Sequence, residues 1–274
     1  MREAWQEFYR GRRVLVAGGT GVIGIQCVRL LRDCGADVLA VAMDSPDYAR
    51  AVLGPEVEYR QLDLMEFANC EAAVHGQQVV LNLVGLKGSV GIGQSKAARY
   101  FYAIMLFQTH LMEAAYRAHC ERFLFVSSVC AYPRSAGAKR EDELWDGIPK
   151  QNDRIPGLVK RLGEIQGEAY RLESGWDAVR IVRPANVFGP YDDFDPATAQ
   201  VIPALMARVR GGESPLTVWG DGSAVRDVVY SKDVAYWSVR ALVQAPPCTP
   251  LNLGSGHGVS IRELAERIAR FGQP

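Results

Sequence analysis

The feature that most narrows what this chain can fold into is an apolar run that breaks into three evenly spaced glycines and resumes as a helix. Val14-Leu15-Val16-Ala17 reads as a buried strand. Gly18-Gly19-Thr20-Gly21-Val22-Ile23-Gly24 follows, with glycines at every third position, and leads into the helix-period stretch Val22–Cys34. Each glycine has a separate physical reason. Gly18 permits a tight turn, Gly21 lets backbone approach a pyrophosphate, and Gly24 lets helix and strand pack closely. The helix N-terminus then offers free N–H groups and the positive end of its dipole to an anion. A lone glycine motif says little. This one follows a strand and opens a helix, the context that makes it a dinucleotide cradle.

The surrounding pattern agrees. Strand signals at Val38–Met43, Val57–Arg60, Val79–Val84 and Phe123–Ser127 alternate with helical stretches, including a long one at Gln94–His119. Alternation of this kind predicts an α/β fold: a Rossmann-type, doubly wound parallel sheet covered on both faces. After Pro184 the texture changes. Short β signals at Leu216–Trp219 and Val225–Tyr230 surround a helix near Thr198–Val209, and a last helix spans Ile261–Phe271. The division expected is a dinucleotide-binding domain over 1–184 and a smaller substrate-binding lobe over 185–274, interleaved with the last sheet elements. Met1–Arg10 reads as a short lead-in helix without a signal-peptide core.

Composition limits the partners. Lys plus Arg equals Asp plus Glu, 31 against 31, so net charge offers no case for nucleic-acid or membrane-surface binding. No segment reaches the ~20 apolar residues of a membrane span. The six cysteines form no C-x-x-C pair and no cluster with zinc spacing, so no metal is expected and reduced thiols in a cytoplasmic protein are. His75, His110, His119 and His257 fall in no motif and read as surface or structural histidines.

The choice between NAD and NADP rests on the end of the second strand. The slot that usually holds an acidic residue for the ribose hydroxyls has Ala42, with Asp44 two residues on and no basic residue before Arg50. The reading favours NAD and leaves NADP open. Asp44 also fits a plain turn residue in Asp44-Ser45-Pro46-Asp47.

Later segments bring in a specific resemblance. They are Asp63-Leu64 after the third strand, Leu81–Gly85 at the end of the fourth, Lys87–Gly91, and Ser128-x-Cys130-x-Tyr132-Pro133. Arg183-Pro184-Ala185-Asn186-Val187-Phe188-Gly189-Pro190, Val201-Ile202-Pro203, Trp219-Gly220-Asp221-Gly222-Ser223, Arg226-Asp227 and Leu251–Gly256 complete the set. Over essentially the whole chain this resembles the extended short-chain dehydrogenase/reductases (the NAD-dependent epimerase/dehydratase family), in particular their GDP-L-fucose synthase branch. Relatives usually run a few dozen residues further. The resemblance implies catalytic roles for Ser128, Cys130 and Lys160. It implies cofactor contacts from Gly18, Thr20, Gly21, Val22, Ile23, Gly24, Asp44, Asp63, Leu64, Val84, Gly85, Lys160, Pro184, Asn186 and Val187. A nucleotide sugar would meet Lys87, Ser128, Asn186, Val201, Trp219 and Arg226, and the protein would be a homodimer. On the residues alone, Trp219 also fits core packing, and Arg226 a surface ion pair with Asp227 or Asp233.

The pattern breaks at two positions. The family's chemistry uses a Tyr one helical turn before the Lys, passing a proton to or from the sugar oxygen while hydride moves. Here Pro156 stands four residues before Lys160, and no Tyr lies between Tyr132 and Tyr170. The epimerising branch pairs Cys with a His just before Val201, and here that residue is Gln200, whose amide exchanges no protons near neutral pH. Candidate replacements are Ser128, Tyr132 and Glu164, though Glu164 also fits an i,i+4 pair with Lys160. Two readings follow: an NAD(P)-dependent 4-keto reductase, epimerase or dehydratase of a nucleotide sugar with altered proton transfer, or a non-catalytic binder of the same ligands acting as sensor or partner subunit.

Overall fold

The computed structural model describes residues 3–86, 96–134, 137–195 and 198–271. Strand β1 (Arg13–Ala17) is central, pairing in parallel with β2 (Asp37–Ala42) on one side and β4 (Val79–Asn82) on the other. With β3 (Glu58–Gln61), β5 (Arg122–Val126), β6 (Val179–Pro184) and β9 (Pro250–Leu253) it forms a seven-stranded, all-parallel sheet of order β3-β2-β1-β4-β5-β6-β9. This is the Rossmann-type arrangement expected. Strand order reverses between β1 and β4, which opens a crevice at their carboxyl ends.

Period-two alternation sends successive side chains to opposite faces. Val14 and Val16 face one core with Trp5, Tyr9, Ile25, Leu31, Val239 and Leu242. Leu15 and Ala17 face the other with Ile104, Phe107, Leu111, Phe123 and Phe125. Helices α1 (Ala4–Phe8), α2 (Gly24–Asp33), α3 (Pro46–Leu53) and α8 (Ser231–Gln244) contribute to the first face. Helices α4 (Phe67–Val74), α5 (Ala97–Arg117) and α6 (Arg154–Ser174) cover the second. Each fully buried large apolar side chain contributes about 1.5–3 kcal/mol, so both layers are needed. The lead-in helix is fixed by Trp5 against Tyr236, at 5.4 Å between ring centroids, and by the Tyr9 hydroxyl donating to the Val239 carbonyl at 2.5 Å.

A second sheet, of order β10-β8-β7, joins β7 (Asn186–Phe188), β8 (Val225–Tyr230) and β10 (Gly258–Ser260), with α7 (Val201–Arg210) and α9 (Ile261–Phe271) beside it. The structure differs from the sequence reading at several points. Leu216–Trp219 forms no strand, and Trp219 is 96% exposed, because the small sheet takes β7 and β10 as the partners of β8. Asp44-Ser45-Pro46-Asp47 is a helix start rather than a plain turn: Ser45 caps α3 by accepting from the Tyr48 N–H at 3.3 Å, and Pro46 takes the first helical position. β6, α8 and β9 were not anticipated as elements.

Candidate functional site

The glycine turn sits at the reversal of strand order. Gly18 has φ +80° and donates its N–H to the Val41 carbonyl at 2.7 Å. A Cβ there would stand 2.7 Å from the Leu83 carbonyl oxygen, so the turn presses directly on the chain leaving β4. At Gly24 a Cβ would come within 2.0 Å of the Gly18 oxygen. At Gly21 it would meet only that oxygen, at 3.3 Å, so the space beyond Gly21 is open. Gly19, not singled out from the sequence, is as constrained, with a Cβ falling 2.8 Å from the Ala40 Cβ. Val22 and Ile23 complete the turn, Ile23 as the N-cap residue of α2. The residues present thus fit a pyrophosphate: a cradle kept open by missing side chains, at a helix N-terminus.

Around that cradle, the buried Thr20 hydroxyl donates to the Asp44 carboxylate at 2.5 Å, bringing Asp44 to the crevice. The Tyr59 hydroxyl donates to the Asp44 carbonyl at 2.6 Å, and burial pushes that phenol up to about 12. Asp63 accepts from the Met65 N–H at 2.9 Å, beside the buried Leu64. Val84 donates to the Asn82 side chain at 3.3 Å, and Gly85 is exposed. Pro184 ends β6 opposite Leu253, Asn186 donates to the Asp227 carbonyl at 2.8 Å, and Val187 pairs with Val229. Lys87 lies outside the described residues.

A second group forms after β5. Ser128 Oγ accepts from the Cys130 N–H at 3.2 Å and from Cys130 Sγ at 3.1 Å. Burial pushes the Cys130 thiol up, the hydrogen bond to Ser128 opposes it, Asp153 adds to the rise and Lys160 opposes it. Lys160 reaches the same turn from α6, with Nζ donating to the Val126 carbonyl at 2.8 Å. Burial pushes its ammonium down to about 8 against the opposing fields of Cys130 and Glu164. Close approach of α6 depends on glycine: a Cβ at Gly157 would stand 2.3 Å from the Cys130 carbonyl oxygen, and one at Gly163 would stand 2.2 Å from the Phe125 ring. Pro156 occupies the third helical position of α6, inside the first turn, where the missing N–H costs no intrahelical bond.

Two candidate replacement groups are otherwise engaged. Glu164 does not pair with Lys160. Both its oxygens accept from Arg183, at 3.0 and 2.7 Å, in a pair whose side chains are 2% and 6% exposed. The Tyr132 hydroxyl accepts from Arg183 at 2.7 Å and donates to Asn252 Oδ1 at 2.7 Å. Arg183 also donates to the Glu141 carbonyl at 2.8 Å, so one guanidinium ties together the Tyr132 turn, α6, β6 and β9.

On the small-sheet side Val201 opens α7, with Gln200 as its N-cap residue. Arg226 is exposed and donates to the Val225 carbonyl at 2.9 Å. Among the described residues it pairs with neither Asp227 nor Asp233. Asp227 is instead taken by Ser255, through N–H at 2.9 Å and hydroxyl at 2.7 Å, and by the Gly256 N–H at 3.1 Å. That clamp was not visible in the sequence. Trp219 is not core packing, being almost fully exposed. Among the described residues no group of three or more His, Cys, Asp or Glu side chains is arranged for a metal.

Residues 14–254 match the family described as "NAD dependent epimerase/dehydratase family". The chain is 30% identical over 268 residues to GDP-L-fucose synthase 1 of Arabidopsis thaliana, covering 94% of this chain and 77% of that one. It is 29% identical over 274 residues to a dTDP-4-dehydro-6-deoxy-D-allose reductase of Streptomyces sp, covering 97% and 83%. Among solved structures, the UDP-glucose 4-epimerase of Thermus thermophilus in complex with NAD superimposes with a TM-score of 0.80 at 25% identity, covering 95% of this chain and 83% of that one. With the glycine cradle and the Ser128–Lys160 group in place on this sheet, the chain belongs to the NAD-dependent epimerase/dehydratase family.

Proposed function

We propose that this protein is an NAD(P)-dependent enzyme that modifies a nucleotide-activated sugar, by reduction at a 4-keto group, by epimerisation or by dehydration. The observation that carries the reading is the convergence of Ser128, Cys130 and Lys160 on one turn at the carboxyl edge of the sheet that holds the glycine cradle. The relatives named as fucose synthase and 4-dehydro-sugar reductase support it. The dinucleotide supplies or accepts the hydride. The Ser128 hydroxyl orients the sugar oxygen, and the Lys160 ammonium holds the nicotinamide ribose. Cys130 faces the carbon next to the carbonyl. Gly18 to Gly24, with Asp44, Asp63, Leu64, Val84, Gly85, Pro184, Asn186 and Val187, form the dinucleotide side. Lys87, Asn186, Val201, Trp219 and Arg226 form the sugar-nucleotide side, where the exposed guanidinium of Arg226 suits a diphosphate. The division is a dinucleotide domain over 1–184 and a sugar lobe over 185–274. Six free cysteines, four of them buried, suit a reducing, cytoplasmic setting.

NAD should bind more tightly than NADP, because the Asp44 carboxylate held by Thr20 would face a 2′-phosphate with like charge. Calorimetric titration of both cofactors, followed by single-turnover assays with 4-keto nucleotide sugars, tests cofactor and activity together. Tighter NADP binding defeats the cofactor assignment. Absence of turnover with sugars that bind defeats the enzymatic one in favour of a sensor or partner subunit, the reading motivated by Pro156 and Gln200.

The protein is a homodimer through α5 and α6. Leu162, Ile165 and Leu172 form an exposed apolar stripe on α6, and Phe101 and Tyr102 are exposed on α5. Sedimentation should give twice the 30.1 kDa chain mass, and Leu162→Glu with Leu172→Glu should give the monomer. A monomeric wild type would refute it.

A further inference from the structure

Pro156 removes one of the two N–H groups that an acidic side chain at the start of α6 would normally cap. Asp153 is the N-cap residue of α6. A carboxylate there ordinarily accepts from the N–H of the second or third helical residue. The third is Pro156, which has no N–H. The Asp153 side chain makes no capping hydrogen bond, and the residue is half-buried.

Its surroundings belong to the site already described. The first turn of α6 is pressed onto the Cys130 carbonyl at Gly157, one turn on from Asp153 along the same face. Lys160 follows about two turns from Asp153, on that face. The Asp153 carboxylate raises the Cys130 thiol, while the charge of Arg226 on β8 lowers Asp153 itself. Asp153 is therefore within electrostatic reach both of Cys130 and of the arginine assigned to the sugar nucleotide. Of the replacement groups the sequence offered, Tyr132 and Glu164 are both engaged by Arg183.

We propose that Asp153 is the proton donor and acceptor at the sugar oxygen, in place of the tyrosine that Pro156 displaces. This rests on the enzymatic reading above. In the reductive direction the carbonyl carbon receives a hydride from the reduced nicotinamide, and the carbonyl π pair moves to oxygen. The O–H bond of the protonated Asp153 breaks as the new sugar O–H forms. The products are a sugar alcohol, the oxidised dinucleotide and the Asp153 carboxylate, which regains a proton from water. Burial raises the Asp153 carboxyl from its ordinary value, against the opposing charges of Lys150 and Arg226, in the direction of the acid form the step needs. Asp153 and Lys160 act in opposite senses on the Cys130 thiol, and Cys130 in turn raises the Tyr100 phenol. Reduction requires the acid form, so the rate should fall as pH rises through the Asp153 pKa.

The test compares wild type, Asp153→Asn and Asp153→Glu as full chains. One measurement is single-turnover reduction of 4-keto nucleotide sugars. The other is iodoacetamide alkylation of Cys130 against pH, read by mass spectrometry, which needs neither sugar nor turnover. Asp153→Asn should slow hydride transfer about 10²-fold or more with cofactor affinity unchanged, and Asp153→Glu should recover part of the rate. Removing the negative charge should also move Cys130 alkylation to lower pH. If wild type turns over and Asp153→Asn keeps its rate, the proposal is overturned and the enzymatic reading stands. If wild type reduces none of the sugars it binds, both fall. An unchanged Cys130 profile overturns the placement of Asp153 against that thiol.

Discussion

Offered a GDP-4-keto-6-deoxymannose and reduced cofactor, the wild-type protein should form GDP-fucose at least ~10²-fold more slowly than a fucose synthase, and up to ~10⁴-fold more slowly. The loss is placed at epimerisation. That step exchanges protons beside the carbonyl between a thiol and an imidazole. Cys130 is present and hydrogen-bonded to Ser128, but the residue before Val201 is Gln200, which cannot exchange protons near neutral pH. Reduction is a separate question, because Pro156 removes the usual donor while Asp153 stands close by. Product analysis by NMR separates the two: reduced sugar without inversion is the expected outcome. Within this scheme Pro156→Tyr added to Asp153→Asn should restore hydride transfer, since position 156 lies one turn before Lys160. A rate ordinary for fucose synthases in the wild type would show that other groups carry the epimerising protons.

Arg183→Met should destabilise the fold by about 3–5 kcal/mol, the cost of leaving a buried partner charge uncompensated. Glu164 is 4% exposed, and both its oxygens depend on Arg183. For a domain of this size the melting temperature should fall on the order of 10 °C. Replacing both partners, with Arg183→Met and Glu164→Leu, should recover much of that loss, because two apolar side chains leave no orphan charge. Recovery stays incomplete, since Arg183 also holds the Tyr132 hydroxyl and the Glu141 carbonyl. Thermal melts of the two proteins decide it. A single variant melting together with wild type would mean that water replaces the guanidinium.

The dinucleotide half of the fold was legible because its signals are local. A strand, a glycine turn and a helix lie in one stretch of sequence, and Gly18 and Gly24 make there the tight turn and the close packing that their spacing suggested. β6 was harder to read. Val179-Arg180-Ile181-Val182-Arg183-Pro184 carries two arginines, which suggest an exposed edge, yet both are buried, Arg183 against Glu164. β9 is short and begins with Pro250. Glu164 shows the limit of spacing rules. Four residues after Lys160 it fits a helix-surface pair, but β6 lies under that helix face and supplies a better partner. Leu216–Trp219 shows the converse, an alternating segment left without a neighbouring strand. At the site, Ser128, Cys130 and Lys160 were readable from motif positions. The proposed role of Asp153 was not, because it depends on a capping bond that the side chain fails to make.

The small sheet is assembled from two separate passages of chain, and this sets an order of construction. The dinucleotide cradle closes as soon as β4 joins β1, with residues up to Gly85. The small sheet waits much longer, because β8 gains its second neighbour only when β10 arrives at Gly258–Ser260, after the chain has returned to the main sheet as β9. Asp227 is clamped by Ser255 and Gly256 in that same late segment. Contacts this distant in sequence form late and carry a larger loop-closure cost. A nascent chain therefore completes the glycine turn long before the small sheet, and a break between β9 and β10 would leave that turn in place while releasing Asp227 and one edge of β8.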